Sequence, residues 1–479
     1  MSTWRIEIEG KEGAAQRDLT DGTSKEITSI VTSFTWSHSI SDPYSQASVS
    51  ALVPLRDLIS LGLGYVTQGR LVLHASGYLR ITELTKAGQI ERFYGPITAV
   101  TAGFKVDKEL GTRQTAPLKI SASTWLTPLM RGFLVSATED LNIGSSLISY
   151  KQWQKIADAV LTSANAQGLT ESLQVAWNRL GAPSVGGTLV GGAGYTRLRE
   201  YVGDVVNRSI DVYGRNLSQL QPPSASGTVW GVLRNTYQAT ALVELFPAYV
   251  YNPSSRETER RLVYRLRPPA PRLNEQEKER IAFLSQFEGQ SGNKGKDLRF
   301  IYGTTIPTKN IGPDELPYVI SYDLAYSDNR NNYFEVTSPY TGAGQLAGLS
   351  CDPVYHKGDI ETYGLFRYAE SYPYIRSKTK DGDGSIRAEL NDLTRYAALV
   401  YSFAHQYASG KVTAKYKDGS TLSHGDWVRW RSYGAENHFY VGYITKATHT
   451  FTVDKMGVLE GSSTYDVERT EAEITGDSL

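Results

Sequence analysis

Residues 407–470 read YASGKVTAKYKDGSTLSHGDWVRWRSYGAENHFYVGYITKATHTFTVDKMGVLEGSSTYDVERT, a helix exit followed by a run of strands. Within it Ala447, His449, Phe451 and Val453 alternate with Thr448, Thr450, Thr452 and Asp454. A period of two places one face in a core and the other in water. Lys455-Met456-Gly457 turns the chain, and Tyr465 and Val467 resume the alternation, which predicts a hairpin.

Upstream, Leu390, Leu393, Ala397, Val400, Ala404 and Tyr407 recur at three-four spacing. This predicts an amphipathic helix over 386–409, closed by Gly410 as a helix C-terminus often requires. A β-rich region opens near Asp297. There Ile320, Tyr322, Leu324 and Tyr326 alternate, Ser327-Asp328-Asn329 turns the chain, and Tyr333-Phe334-Glu335-Val336 follows. The N-terminal region carries a similar pattern. Phe34, Trp36, His38 and Ile40 alternate with serines and Thr35, Ser41-Asp42-Pro43-Tyr44 breaks the run, and Ala47, Val49, Ala51 and Val53 resume it. The first strands of the two pairs align in phase and both end in Ser-Asp, while the following strands slip by one residue, which reads as an internal repeat with an offset. With Trp4, Ile6 and Ile8 opening the chain and further strands at Arg70–Leu79 and Gln89–Thr101, residues 1–125 read as one antiparallel barrel or sandwich.

The middle, 126–296, reads as a mixed α+β insert. Trp153, Ile156, Ala157, Val160 and Leu161 share a helical stripe, as do Leu198, Tyr201, Val202 and Val205. GAPSVGGTLVGGAG at 181–194 reads as a flexible loop or linker. Trp230, Leu233 and Tyr237 mark a short helix, and Glu244-Leu245-Phe246-Pro247 leads into strands ending at Arg265–Pro269. The charged stretch from Asn274 to Lys296 marks the boundary with the third region, 297–479.

Composition agrees with a β-rich reading. Of 479 residues 31 are Tyr, against 13 Phe and 8 Trp, and 44 are Gly. Tyrosine packs an apolar ring and keeps a polar tip wet, which suits sheet surfaces and interfaces. Lys plus Arg equals Asp plus Glu at 50 each, so the basic excess expected of a DNA-gripping protein is absent. Cys351 is the only cysteine, which excludes an intramolecular disulfide and a multi-cysteine metal site. The opening MSTWRIEIEG lacks the apolar core of a secretion signal, and no apolar run reaches the roughly 20 residues of a membrane helix. Synthesis in a cytoplasm is the expectation.

Few segments point to chemistry. TKDGDGSIRAEL at 379–390 places Asp381, Asp383, Gly384 and Ile386 as in a calcium loop, but Thr379 and Leu390 stand where the first and the bidentate ligands belong. Glu389 is one residue short, and a turn capping a helix accounts for both aspartates. GQSGNKGKD at 289–297 lacks the first glycine and the hydroxyl of a phosphate loop, with Gln290 and Asp297 in those places. The seven histidines do not cluster in sequence, and His38 and His449 fall on apolar strand faces, where a buried, hydrogen-bonded imidazole is the ordinary outcome. No His-Glu-x-x-His helix or Gly-x-Ser-x-Gly elbow occurs. Catalytic, cofactor and metal residues are therefore expected to be none.

Three segments in order resemble the baseplate hub proteins of tailed bacteriophages and related contractile injection systems. These are the Ser-Asp-Pro hairpin with Phe93-Tyr94-Gly95-Pro96-Ile97-Thr98; the stretch from Trp230 through Glu244-Leu245-Phe246 to Tyr264-Arg265 and Pro268; and Asp359–Arg469, with Tyr363-Gly364 and the strands quoted at the outset. Tyr363-Gly364-Leu365-Phe366-Arg367 carries one residue more than the family pattern before its arginine, and the glycine-rich loop has no counterpart. The resemblance implies a mainly β protein with an α+β insert, its first (1–125) and third (297–479) regions being tube-like antiparallel β-barrels. It implies a structural virion protein and not an enzyme, a homotrimer in the tail baseplate. Two barrels in each of three copies would place six around a DNA-conducting channel, facing a sixfold tail tube or its initiator above. The threefold central spike would lie below, with baseplate wedge proteins as further neighbours, no specific DNA binding and no membrane. A tail-tip carbohydrate-binding module or a peptidoglycan hydrolase is the alternative.

Overall fold

The computed structural model describes residues 3–9, 17–18, 30–41, 45–54, 59, 63–68, 70–73, 75, 77–86, 88–103, 115–125, 127, 134–136, 226–228, 243–252, 254, 256–289, 308–311, 319–338, 349–350, 352–371, 383–402, 404–432, 438–453 and 459–474. The expected helices over 152–162, 198–205 and 230–237, the glycine-rich loop, Asp42 to Tyr44, Cys351, Asp381 and Lys455 to Gly457 lie outside them.

The N-terminal strands are β1 (Thr3–Glu9), β2 (Arg17–Asp18), β3 (Ile30–Ser39), β4 (Gln46–Pro54), β5 (Gly64–Thr67), β6 (Arg70–Leu73), β7 (Tyr78–Thr85), β8 (Gly88–Ala102) and β9 (Thr115–Ser123). Then come β10 (Leu134–Ser136), β11 (Ser226–Thr228), the hairpin β12 (Val243–Asn252) and β13 (Glu257–Leu266), and two short helices, α1 (Pro271–Glu275) and α2 (Glu277–Leu284). The remainder holds β14 (Glu288–Gly289), β15 (Thr308–Ile311), β16 (Val319–Tyr326), β17 (Tyr333–Ser338), β18 (Leu349–Ser350), β19 (Val354–Tyr355), α3 (Lys357–Tyr363), β20 (Arg367–Ser371) and α4 (Asp383–Tyr401). It closes with β21 (Ala408–Lys415), β22 (Trp427–Arg431), β23 (His438–Val453) and β24 (Leu459–Ile474). The fold is mainly β, and most of its sheet is antiparallel.

The expected C-terminal hairpin is β23–β24, paired from His438↔Ile474 to Val453↔Leu459, with Ala447, His449 and Phe451 buried and Thr450 and Thr452 exposed. The N-terminal pair is β3–β4. Both belong to one 13-stranded sheet, because β3 also pairs with β23 from Ser33↔Thr452 to Ser39↔Lys446.

Each half of that sheet repeats one strand order. The N-terminal half runs β3-β4-β9-β8-β7-β1, and the C-terminal half runs β16-β21-β24-β23-β22-β15. Two of the irregularities repeat too. Thr32 bulges from β3 between Val31 and Ser33, and Ile320 bulges from β16 between Val319 and Ser321. Thr98 bulges from β8 between Ile97 and Ala99, and Thr445 bulges from β23 between Ile444 and Lys446. A bulge marks an added residue that bends and twists a strand, so these two matched pairs of bulges set the register of β3 on β16 and of β8 on β23. The outermost pairs differ in sense, β1–β7 being antiparallel and β15–β22 parallel.

This equivalence corrects the repeat expected from sequence. The first strands do align in phase, but Phe34 corresponds to Tyr322, two residues further along β16. The counterpart of β4 is β21 and not the segment around Tyr333, which forms β17 in a separate five-stranded sheet with β14, β18, β19 and β20. Residues 327–407 are inserted between the two strands of the second pair.

Helix α4 packs on β17 with Leu390, Ala397 and Val400 buried and Leu393 partly buried. It ends at Tyr401, short of the expected 409, and a single 3-10 turn (Ala404–Gln406) follows. Gly410 does not close it. Gly410 lies within β21, where an added Cβ would stand 1.9 Å from the Asp323 carbonyl oxygen of β16. The charged stretch after Asn274 holds α2, whose Phe283 and Leu284 enter the same core as α4 together with Phe287.

Candidate assembly seam

Where β3 meets β23 the two halves share side chains as well as backbone. Phe451 and Phe34 stack at 4.8 Å, Trp36 lies on His449 at 4.9 Å, and Trp4 meets Phe451 at 4.6 Å. Alternation brings these rings together, since each occupies the inward position of its strand. Paired aromatics of this kind add about 0.5–1.5 kcal/mol each beyond the area they bury.

A buried charge cluster ties the seam. Glu83 of β7 has no exposed surface. Its carboxylate accepts hydrogen bonds from Arg92 Nε at 2.9 Å and from Arg92 Nη2, from the Tyr416 hydroxyl at 2.9 Å, and from the Gly419 N–H at 2.7 Å. Tyr416 and Gly419 follow β21, so a carboxylate of one half is held by donors of both. A buried ion offsets its desolvation only when its oxygens are this well supplied.

The β12–β13 hairpin spans the seam. Towards the N-terminal half, Arg260 forms a two-pronged pair with Glu91 of β8, at 2.6 and 2.9 Å, and lies 3.9 Å from the Tyr94 ring centroid. The Tyr249 hydroxyl accepts from the Tyr94 N–H at 2.9 Å and donates to the Tyr94 carbonyl at 3.0 Å, which occupies the backbone of β8 at that residue. Towards the C-terminal half, Glu244 accepts from the Tyr443 hydroxyl and Pro247 O accepts from His424 Nε2 at 2.7 Å. Arg267 beyond the hairpin pairs with Glu468 of β24, and Arg469 donates to Pro268 O. Burial opposes ionisation of Glu468, but Arg469 and Arg267 outweigh it and hold the carboxyl below its usual range.

Three of the seven histidines, His38, His424 and His449, converge here. His38 and His424 stack at 5.5 Å, with Tyr249 and Phe246 beside them. His38 Nε2 donates to Arg92 O at 3.0 Å while Nδ1 has no partner, so the ring is the neutral Nε2–H tautomer. Burial and the Arg92 charge lower its pKa to about 4, despite the raising effect of the Arg92 carbonyl. His449 is buried and bonded through Nδ1 to Ser463 Oγ at 2.8 Å, and burial, then Arg92, His38 and His424, hold it well below the usual range. This convergence was hidden in the sequence because His424 lies on no periodic strand.

The other candidates separate. Asp383 is the first residue of α4, and the remainder of the calcium-like turn before it lies outside the described residues. Of the phosphate-loop look-alike only Gly289 is described. It has φ +94° and lies where an added Cβ would be 2.0 Å from Pro353 O. Gly364 ends α3 at φ +93°, and Asn332 beside it accepts from Phe366 N–H and donates to Gly364 O and Asp359. Tyr363 and Leu365 flank that turn and are exposed. Among the described residues no group of three or more His, Cys, Asp or Glu side chains converges as metal ligands, and no helix is long and apolar enough to cross a membrane.

No family model matches the chain, and no curated protein matches it. Solved structures of similar layout include the 43 kDa tail protein of prophage MuSo2 from Shewanella oneidensis, with 11% identity, coverage of 97% of this chain and 98% of that one, and a TM-score of 0.40. A tail protein from Neisseria meningitidis shares 9% identity over 97% of this chain and 96% of its own, with a TM-score of 0.43. A prophage tail protein from Listeria monocytogenes shares 10% over 96% and 94%, with a TM-score of 0.34. At such scores these are likenesses only, and the functional reading rests on the chain's own residues.

Proposed function

We propose that this chain is a structural protein of a phage tail, the trimeric baseplate hub that joins a sixfold tail tube to a threefold spike around a DNA-conducting channel. The observation that carries the reading is the repeated strand order with its two matched pairs of bulges. A chain built from two equivalent sheets, assembled threefold, offers six equivalent units on one face, while its inserts differ between halves and leave the other face threefold. The division into 1–125, 126–296 and 297–479 follows the same logic, with the first and third parts as tube-like units and the hairpin of the middle part bracing them. Buried tyrosines and arginines at the seam do structural work in this reading, and no catalytic, cofactor or metal residue is assigned. Zero net charge suits a wall past which DNA slides without being held.

The test is mass in solution together with imaging of the purified chain. A mass of three chains and a threefold ring with six similar lobes and an open centre are expected. A particle of another symmetry, or a monomer that binds glycan or cleaves peptidoglycan, would overturn the proposal.

A further inference from the structure

The seam between the halves is a template for a second seam. In the N-terminal half, β3 is covered by β23 of the other half; its counterpart β16 ends the sheet and has no strand on its outer edge among the described residues. The difference shows in exposure. His38 is 4% exposed, whereas Tyr326, at the equivalent place, is 61% exposed, and Ile320 is 58% exposed. The strand that covers β3 also has a counterpart. β23 pairs with β22 through Tyr443 and then, past the bulge at Thr445, turns the same edge to β3. β8 pairs with β7 through Pro96 and then, past the bulge at Thr98, has no strand on that edge among the described residues, with Thr98, Ala99, Thr101 and Gly103 exposed. Each half thus has the same two docking edges. Inside the chain one of each is used, and one of each is left over.

The leftover edges are also unguarded. Natural sheets protect an exposed edge with charges, proline or an inward kink. Thr98–Gly103 contains no charge and no proline, and Val319–Tyr326 contains the single charge Asp323.

We infer that β16 of one copy pairs antiparallel with the second half of β8 of the next copy, in the register by which β3 pairs with β23. His38↔Ala447 becomes Tyr326↔Val100, Trp36↔His449 becomes Leu324↔Ala102, and Ser37↔Thr448 becomes Ala325↔Thr101. Leu324 and Tyr326 then turn inward as Trp36 and His38 do, and Ala325 stays on the polar face with Thr101. The Ile40 N–H donates to Thr445 O at 2.9 Å, so by alternation Ser37↔Thr448 is a pair without mutual backbone bonds, the type with the closer side chains. Ala325 and Thr101 inherit that spacing. The contact is head-to-tail, and such contacts close into rings when the rotation permits. The inference rests on the proposed assembly of copies, but the strand pair is independent of how many copies close the ring.

The test uses the full chain with Cys351→Ser and the pair Thr101→Cys and Ala325→Cys, oxidised and run without reductant. Covalent multimers ending at three chains, collapsing on reduction, are expected, with Thr101→Cys and Leu324→Cys, one residue out of register, giving no such ladder. Tyr326→Lys, at an exposed site that leaves the monomer folded, should raise the concentration for half-assembly at least tenfold. A trimer by mass that neither cross-links through this pair nor responds to Tyr326→Lys overturns the strand pairing and leaves the trimer standing. A ladder running past three chains supports the pairing and overturns the trimer. A chain that stays monomeric and unlinked at all concentrations overturns both.

Discussion

Glu83 shows how much a single side chain holds at the seam. Replacing it by Ala leaves Arg92 buried without its carboxylate, and breaking a buried pair in this way costs about 3–5 kcal/mol. Glu83→Ala should lower the unfolding free energy by that order in denaturant titration, with Glu83→Gln recovering part because its amide oxygen still accepts from Tyr416 or Gly419. His38 contributes to the acid limit. Its pKa falls from 6.5 unfolded to about 4 folded, so the unfolded chain binds the extra proton. Stability from this neutral ring is complete above pH 6.5 and is lost as pH falls from 6.5 towards 4, a loss on the order of 3 kcal/mol across that window. His449 acts with the same sign. A His38→Gln chain, which keeps a donor for the Arg92 carbonyl and does not titrate, should show a shallower fall in melting temperature between pH 6.5 and 5; an unchanged slope would mean that His38 is not buried neutral. The buried state of His449 was legible from alternation with Phe451. The Glu83–Arg92 cluster was not, since a charged residue on an inward strand position gives no sign of its partner in another strand.

At the scale of elements, the long C-terminal hairpin and the β3–β4 pair were readable because alternation is local. The partner of β16 was not. Tyr333–Val336 follows β16 as closely as β4 follows β3, and an adjacent strand is the ordinary expectation for a hairpin. Only tertiary pairing reveals that residues 327–407 interrupt the repeat and that β21 completes it. Gly410 misled for a related reason: a glycine after a helical stripe reads as a cap, but here it admits a neighbouring backbone. Two glycines test the equivalence of the halves. Gly95 and Gly442 occupy the same place, just before the bulges of β8 and β23. An added Cβ at Gly95 would stand 1.7 Å from the Ser123 carbonyl oxygen, and one at Gly442 would stand 2.6 Å from the Thr470 hydroxyl. Backbone cannot step aside as a side chain can. Gly95→Ala should therefore destabilise by more than about 2 kcal/mol and Gly442→Ala by clearly less, as read from thermal melts. Equal costs would indicate that the backbone of Ser123 yields as readily as the Thr470 side chain, against the close approach at Gly95.

At the scale of the whole molecule, the question is whether two equivalent halves behave as beads on a string or as one body. The core of the N-terminal half includes Phe451 of β23 and packs against Tyr416, so that half does not complete its interior alone. The β12–β13 hairpin then anchors β8 at Tyr94 and Glu91 and meets the other half at His424 and Tyr443. The hub proposed above would need this coupling, because six lobes that moved independently would pass no displacement around the ring. Hydrogen exchange can measure it. In a coupled body, Glu83→Ala should reduce amide protection in β23 and β24 as well as in β7 and β8, since loss of the shared carboxylate loosens both sides of the seam. Arg260→Ala should act in the same direction through the hairpin, leaving Glu91 half-buried beside Arg80 at 3.2 Å as its one remaining partner in that cluster of charges. Loss of protection confined to β7 and β8 in both variants would mean that the halves open separately, and the continuous sheet would then be a juxtaposition without mechanical consequence.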